Sequence, residues 1–156
     1  MQAIRDALDK PAGSITVGDM QSLEILDARL KNISSISGLQ YAVNLKTLDL
    51  STNSTSDISP LAGLTELREL DLSVNAGLKN ISPLQNLTKL DKLKFDQAGV
   101  EDISALGGLV NLEELSAFSN SISDISALSS LTNLTELTLE ANQISDIRSE
   151  ERRVGK

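Results

Sequence analysis

The chain has 156 residues, 27 of them leucine, with no cysteine, histidine or tryptophan and a formal net charge of -8. Without His or Cys there is no imidazole base, thiolate nucleophile, usual structural zinc site or disulfide, so only carboxylates, lysines and hydroxyls are left for catalysis, and no metal or cofactor is expected. Aromatics at 2% against 40% apolar residues call for an aliphatic core, and the acidic balance argues against nucleic acid and anionic membrane as partners.

At the amino terminus, the segment QAIRDALD over 2–9 places Ile4, Ala7 and Leu8 on one helical face and is closed by Pro11 and Gly13. Thr16 and Asp19 then give the T-x-x-D signal of a second short helix before Leu23. Residues 1–22 are therefore expected to form a helical cap on whatever core follows. Met1 precedes polar residues and no secretory apolar stretch, and no apolar run in the chain approaches the roughly 20 residues of a bilayer span.

From Leu23 the chain repeats. The pattern LxxLxL starts at 23, 45, 67, 90, 112 and 134, so the period is 22 with a single extra residue in the third copy, at Asn75-Ala76-Gly77-Leu78. Other columns keep the same register: Asn53, Asn75, Asn120 and Asn142; Ile36, Ile58, Ile81, Ile103, Ile125 and Ile147; Leu39, Leu61, Leu84, Leu106 and Leu128. In LKTLDLSTN, alternation puts Leu48 and Leu50 on one face and Thr47, Asp49 and Ser51 on the other, as in a strand. One such strand cannot bury its leucines alone, so about six copies over 23–147 must stack, with parallel ladders and a buried asparagine column that satisfies backbone groups of adjacent turns. Ala98 interrupts the asparagines, and Thr55 stands where neighbouring copies have Ile33, Val100, Ile122 or Ile144; both are expected to be soft spots. Asp57, Asp102, Asp124 and Asp146 recur before the column isoleucine, a spacing that reads as turn capping.

These segments, above all LTELRELDLSVN, LTNLTELTLEANQISDI and the DISPLAGL and DISALSSL connectors, resemble the leucine-rich repeat family, in particular the 22-residue class of bacterial surface proteins that includes the internalins. The resemblance implies an α/β right-handed solenoid with a parallel inner sheet. It also implies a non-enzymatic protein-interaction module from a bacterial protein that is extracellular or attached to the cell surface. Two alternatives stay open: a cytosolic scaffold similar to the phosphatase-regulating repeat proteins, and an accessory domain of a larger secreted enzyme. After Ile147 the pattern stops, and RSEERRVGK over 148–156 resembles a translated sequencing-adapter sequence, a non-native or disordered tail that would make the chain a fragment. An end of that kind would leave Leu134, Leu137, Leu139 and Ile144 uncovered and favour self-association there.

The inner strand face is the expected binding surface, because the side chains between the core leucines stand in solvent on a rigid sheet. Three positions per strand give Ile25, Asp27, Arg29; Thr47, Asp49, Ser51; Glu69, Asp71, Ser73; Lys92, Lys94, Asp96; Glu114, Ser116, Phe118; and Glu136, Thr138, Glu140. Eight acids against three bases make this face acidic, with Lys92 and Lys94 placed to pair with Glu69, Asp71 or Glu114. The candidate partner-binding residues are Asp27, Asp49, Glu69, Asp71, Lys92, Lys94, Asp96, Glu114, Phe118, Glu136 and Glu140. Phe118 is the anchor, because interface hot spots favour aromatics. A protein or peptide partner of basic character, a solvated face without a ligand, and calcium held by Asp27, Asp49 and Asp71 are three readings of the same stripe. Enzyme activity is not expected, because an open repeating surface offers no deep cleft for a pair of carboxylates.

Overall fold

A computed structural model describes residues 2–145, with side chains from Ile4 onward; RSEERRVGK and the expected column members Asp146 and Ile147 lie outside the described residues. Helix α1 runs over Gln2–Ala7 and α2 over Val17–Gln21, followed by strands β1 (Ile25–Asp27), β2 (Thr47–Asp49), β3 (Glu69–Asp71), β4 (Lys92–Lys94), β5 (Glu114–Ser116) and β6 (Glu136–Thr138). The six strands form one parallel sheet in chain order. Corresponding residues stand opposite each other: Leu26, Leu48, Leu70, Leu93, Leu115 and Leu137 make one row across all six strands.

Each strand has three residues and is centred on the second leucine of LxxLxL. The chain then turns through a residue in the left-handed region, at Leu30, Thr52, Val74, Gln97, Ser119 and Ala141, with φ between 53° and 59°. On the far side of each turn, short 3₁₀ helices at Leu39–Tyr41, Ser59–Leu61, Ser82–Asn86, Ser104–Gly108 and Ser126–Ser130 return the chain toward the next strand. Their starts are fixed locally. The carboxylates of Asp57, Asp102 and Asp124, and the Asn80 amide oxygen, accept the backbone N–H two residues on, at 2.8–2.9 Å, and Pro60 and Pro83 occupy early positions where a missing N–H costs nothing.

Between sheet and 3₁₀ layer lies one aliphatic core that includes every column leucine from Leu45 to Leu131 and the fully buried Phe95. Burying a leucine contributes about 2 kcal/mol, so the stack supplies what a three-residue strand cannot. The asparagines form the second support. Asn53, Asn75, Asn120 and Asn142 each donate to carbonyls of their own turn and of the preceding one, at 2.8–3.0 Å, and accept a backbone N–H of the preceding turn.

Both expected soft spots are closed by other hydrogen bonds. Thr55 is fully buried, its N–H donates to Asn75 Oδ1 at 2.8 Å and its hydroxyl to the Ile33 carbonyl at 3.2 Å. Ala98 is fully buried as well, and the backbone N–H groups of Ala98, Gly99 and Val100 all point at Asn120 Oδ1. On the preceding turn Leu78 N–H donates to the Asn75 carbonyl at 2.8 Å, so the extra residue of the third copy closes its own turn without an asparagine from the fourth.

The amino-terminal helices pack on the first turn. Ile4 and Leu8 lie half-buried against the core, whereas Ala7 is exposed, so the helical face is narrower than its spacing implied. The Thr16 hydroxyl accepts Asp19 N–H while the Asp19 carboxylate accepts Thr16 N–H, a complete capping box for α2. At the carboxyl end of the described residues the core is less covered: Leu137 is 46% exposed where Leu115 is 2%, and Leu134, Leu139 and Ile144 are half-buried.

Candidate functional site

The strands present their odd positions to solvent and their central leucine to the core, which makes an open polar sheet of three columns. The first column reads Ile25, Thr47, Glu69, Lys92, Glu114, Glu136 and the second Asp27, Asp49, Asp71, Lys94, Ser116, Thr138, each in direct cross-strand register. Arg29, Ser51, Ser73, Asp96, Phe118 and Glu140 follow two residues past the second. Like charges opposite one another on adjacent strands cost a few tenths of a kcal/mol or more, so the Asp27, Asp49 and Asp71 row needs relief.

Relief comes from within the face. Arg29 contacts Asp27 at 2.8 Å and reaches Asp49 at 3.8 Å. The Arg29 backbone N–H, then burial acting in the opposite sense, then the guanidinium set the balance, and the Asp27 carboxyl is held below its ordinary value. Asp49 Oδ1 accepts the Ser51 N–H and hydroxyl, and Asp71 Oδ1 accepts the Ser73 N–H at 2.8 Å. The sequence expectation places Arg29 on the face but pairs only the two lysines with acids; its position two residues past Asp27 is the signal for the Arg29 pair.

The two lysines behave differently. Lys92 pairs with Glu114 at 2.8 Å, and that hydrogen bond raises the lysine above its usual value, with Glu69 and Asp91 adding to the field. Lys94 is exposed, stands in register between Asp71 and Ser116, and makes no ion pair among the described residues. Asp96, expected from its spacing among the binding residues, works inside the face: its Oδ1 accepts the Ser116 hydroxyl at 2.7 Å and the Phe118 N–H at 2.8 Å. It thereby fixes the backbone that holds the 38% exposed Phe118. Glu69, Glu136 and Glu140 are exposed to solvent, and Glu114 is half-buried beneath its lysine.

Chemically the face can form ion pairs, hydrogen bonds and one aromatic contact. Among the described residues no group of three or more acids is arranged to hold a metal ion, and no helix is long and apolar enough to cross a membrane. Tyr41 is half-exposed beside the cap, on a shallow pocket of about 250 Å³ lined by Ile4, Ile15, Val17 and Met20, away from the sheet.

A stack of 22-residue turns with a parallel inner sheet, an asparagine ladder and 3₁₀ outer turns defines a leucine-rich repeat solenoid. A family model described as Leucine Rich repeats (2 copies) matches residues 110–150. Among solved structures the chain is similar to an internalin (inlF) from Listeria monocytogenes, at 34% identity and a TM-score of 0.92 over 96% of this chain and 44% of that one. It is also similar to an internalin C2 (inlC2) from the same organism, at 30% identity and a TM-score of 0.54 over 95% of this chain and 85% of that one. A leucine-rich repeat protein from Leptospira interrogans shares the fold at 22% identity and a TM-score of 0.74, over 81% of this chain and 33% of that one. No curated protein sequence matches the chain. The chain belongs to the bacterial, internalin-like class of the leucine-rich repeat family and spans less than half of the inlF chain.

Proposed function

We propose that this chain is a non-enzymatic interaction module that binds a protein or peptide through the acidic concave face, as part of a secreted or surface-attached bacterial protein. The observation that supports it is the row of in-register carboxylates on β1, β2 and β3, held on strands whose central leucines, Leu26, Leu48 and Leu70, are buried in the core. Such a face attracts a basic partner from a distance and rejects an acidic one, and its rigidity spares the partner an ordering cost. Phe118 supplies the apolar anchor beside it. The location outside the cell is supported by the internalin relatives. The test is a triple variant, Phe118→Ala with Asp49→Asn and Asp71→Asn, compared with the wild type as bait in a pulldown. Loss of every partner captured by the wild type is the expected result, and unchanged capture moves the site to the convex side.

A second mode of association is self-contact through the open end at Leu137, where apolar side chains and strand edge are uncovered together. Sedimentation at high concentration tests it: a concentration-dependent rise in mass that Leu137→Lys removes is expected, and a monomer throughout refutes it.

A further inference from the structure

We infer that the partner of the concave face presents an α-helix whose contact face reads basic, acidic, apolar at positions i, i+3 and i+7, seated on Asp71, Lys94 and Phe118. This rests on the concave-face reading above and says which part of the face recognises and what it recognises.

The internal bonds of the face remove most of its charges from competition. Asp27 is spent on Arg29, Asp49 on Ser51 and Arg29, Lys92 on Glu114, and Asp96 on Ser116 and Phe118. Of the groups left unpaired among the described residues, three run in order across β3, β4 and the end of β5: Asp71, whose second oxygen makes no hydrogen bond there, then Lys94, then Phe118 two residues past β5, with the exposed Glu69, Glu136 and Glu140 flanking them. Partner groups complementary to these are a cation, an anion and an apolar side chain, in that order. An all-basic partner would meet Lys94 as a like charge, so Lys94 sorts partners that the acidic stripe alone would accept.

Spacing selects the partner's backbone. Strands lie about 4.8 Å apart and residues on one strand face about 6.6 Å apart, so Asp71 and Phe118 are separated by about 12 Å on the diagonal and Lys94 falls about 4 Å along that line. A helix rises about 1.5 Å per residue, which places i+3 at about 4.5 Å and i+7 at about 10.5 Å on one face. An extended segment repeats at about 6.7 Å on one face, so its second residue misses the lysine by about 2.7 Å, against about 0.5 Å for the helix.

The test uses the full chain and labelled synthetic peptides read by fluorescence anisotropy: an alanine-rich helix with Lys, Glu and Leu at i, i+3 and i+7, the same helix with Lys replacing the Glu, and a proline-containing version that cannot be helical. The ordered helix is expected to bind about tenfold tighter than the all-basic one, and Lys94→Glu is expected to invert that preference. Equal affinity of the ordered and all-basic helices, or of the helical and proline-containing peptides, overturns the inference. If the all-basic helix then binds and the triple variant abolishes its binding, the concave-face reading survives alone. Binding by none of the three peptides overturns the inference, and the concave-face reading then stands or falls by the capture experiment above.

Discussion

Asn75→Ala tests the asparagine ladder where it is most enclosed. Asn75 is fully buried; its Oδ1 is the hydrogen-bond partner of Thr55 N–H at 2.8 Å, and its Nδ2 that of the Leu72 carbonyl at 2.9 Å. Its third bond, to the Leu50 carbonyl, is duplicated by Asn53 at 2.8 Å and is not orphaned by the substitution. Two buried backbone groups are therefore left unpaired, each at about 1–3 kcal/mol, so the expected loss is about 4 kcal/mol. That is a large part of the 5–15 kcal/mol typical of a folded domain. With an m-value of about 2 kcal/mol/M, the urea midpoint falls by about 2 M, followed by circular dichroism. Asn142→Ala is the internal control. It removes the same chemistry from a half-buried site at the open end, where water replaces the partners of Ile122 N–H and the Leu139 carbonyl, and it is expected to shift the midpoint by less than half as much. A midpoint for Asn75→Ala within 0.3 M of the control, on the order of experimental error, would show that the ladder does not stabilise by satisfying buried backbone.

Two further outcomes follow from local geometry. Val74 holds a β-branched side chain at φ 57°, so Val74→Asn is expected to raise stability by about 1 kcal/mol in the same urea assay, and a variant no more stable than the parent removes the strain argument. The Asp19 carboxyl, bonded first by Lys10 and then by the N–H and hydroxyl of Thr16, lies at about 2, below its ordinary 3.8. A lowered carboxyl contributes stability that is complete above the unfolded value and lost as pH falls through the folded one, so the α2 cap is expected to loosen between about pH 4 and pH 2. Following the Asp19 side chain and Thr16 amide by NMR checks this, and titration at or above 3.8 would contradict the bonded cap.

The solenoid was legible because its signal repeats: each column leucine is one vote for the same register, and the other five copies outvote the degenerate first one, where Ala28 replaces leucine. The left-handed residue of each turn was not legible. Leu30, Thr52, Val74, Gln97, Ser119 and Ala141 share no chemistry, since a tertiary turn forces the same backbone on whatever residue stands there. The two irregularities were located by sequence but misjudged, because a column shows which residue is missing and not which neighbour takes over its hydrogen bonds. On the candidate site, strand alternation put the charges on one face, while the division between charges spent internally and charges left free depended on side-chain geometry, as the contrast of Lys92 with Lys94 shows.

The way Leu78 and Ala98 fit together also bears on how such a chain can change. Each turn touches only its neighbours, so duplicating or deleting one turn between β1 and β3 or after β4 leaves every ladder bond type intact while moving the charges on either side apart or together by one strand spacing, about 4.8 Å. The junction of the third and fourth turns is the exception, because the self-closed loop at Asn75–Leu78 and the alanine opposite it are matched parts. Asp71 and Lys94 sit on the two sides of that junction. Recombination can therefore lengthen the molecule freely at other joints, but it inherits this opposite-charge neighbourhood as a unit.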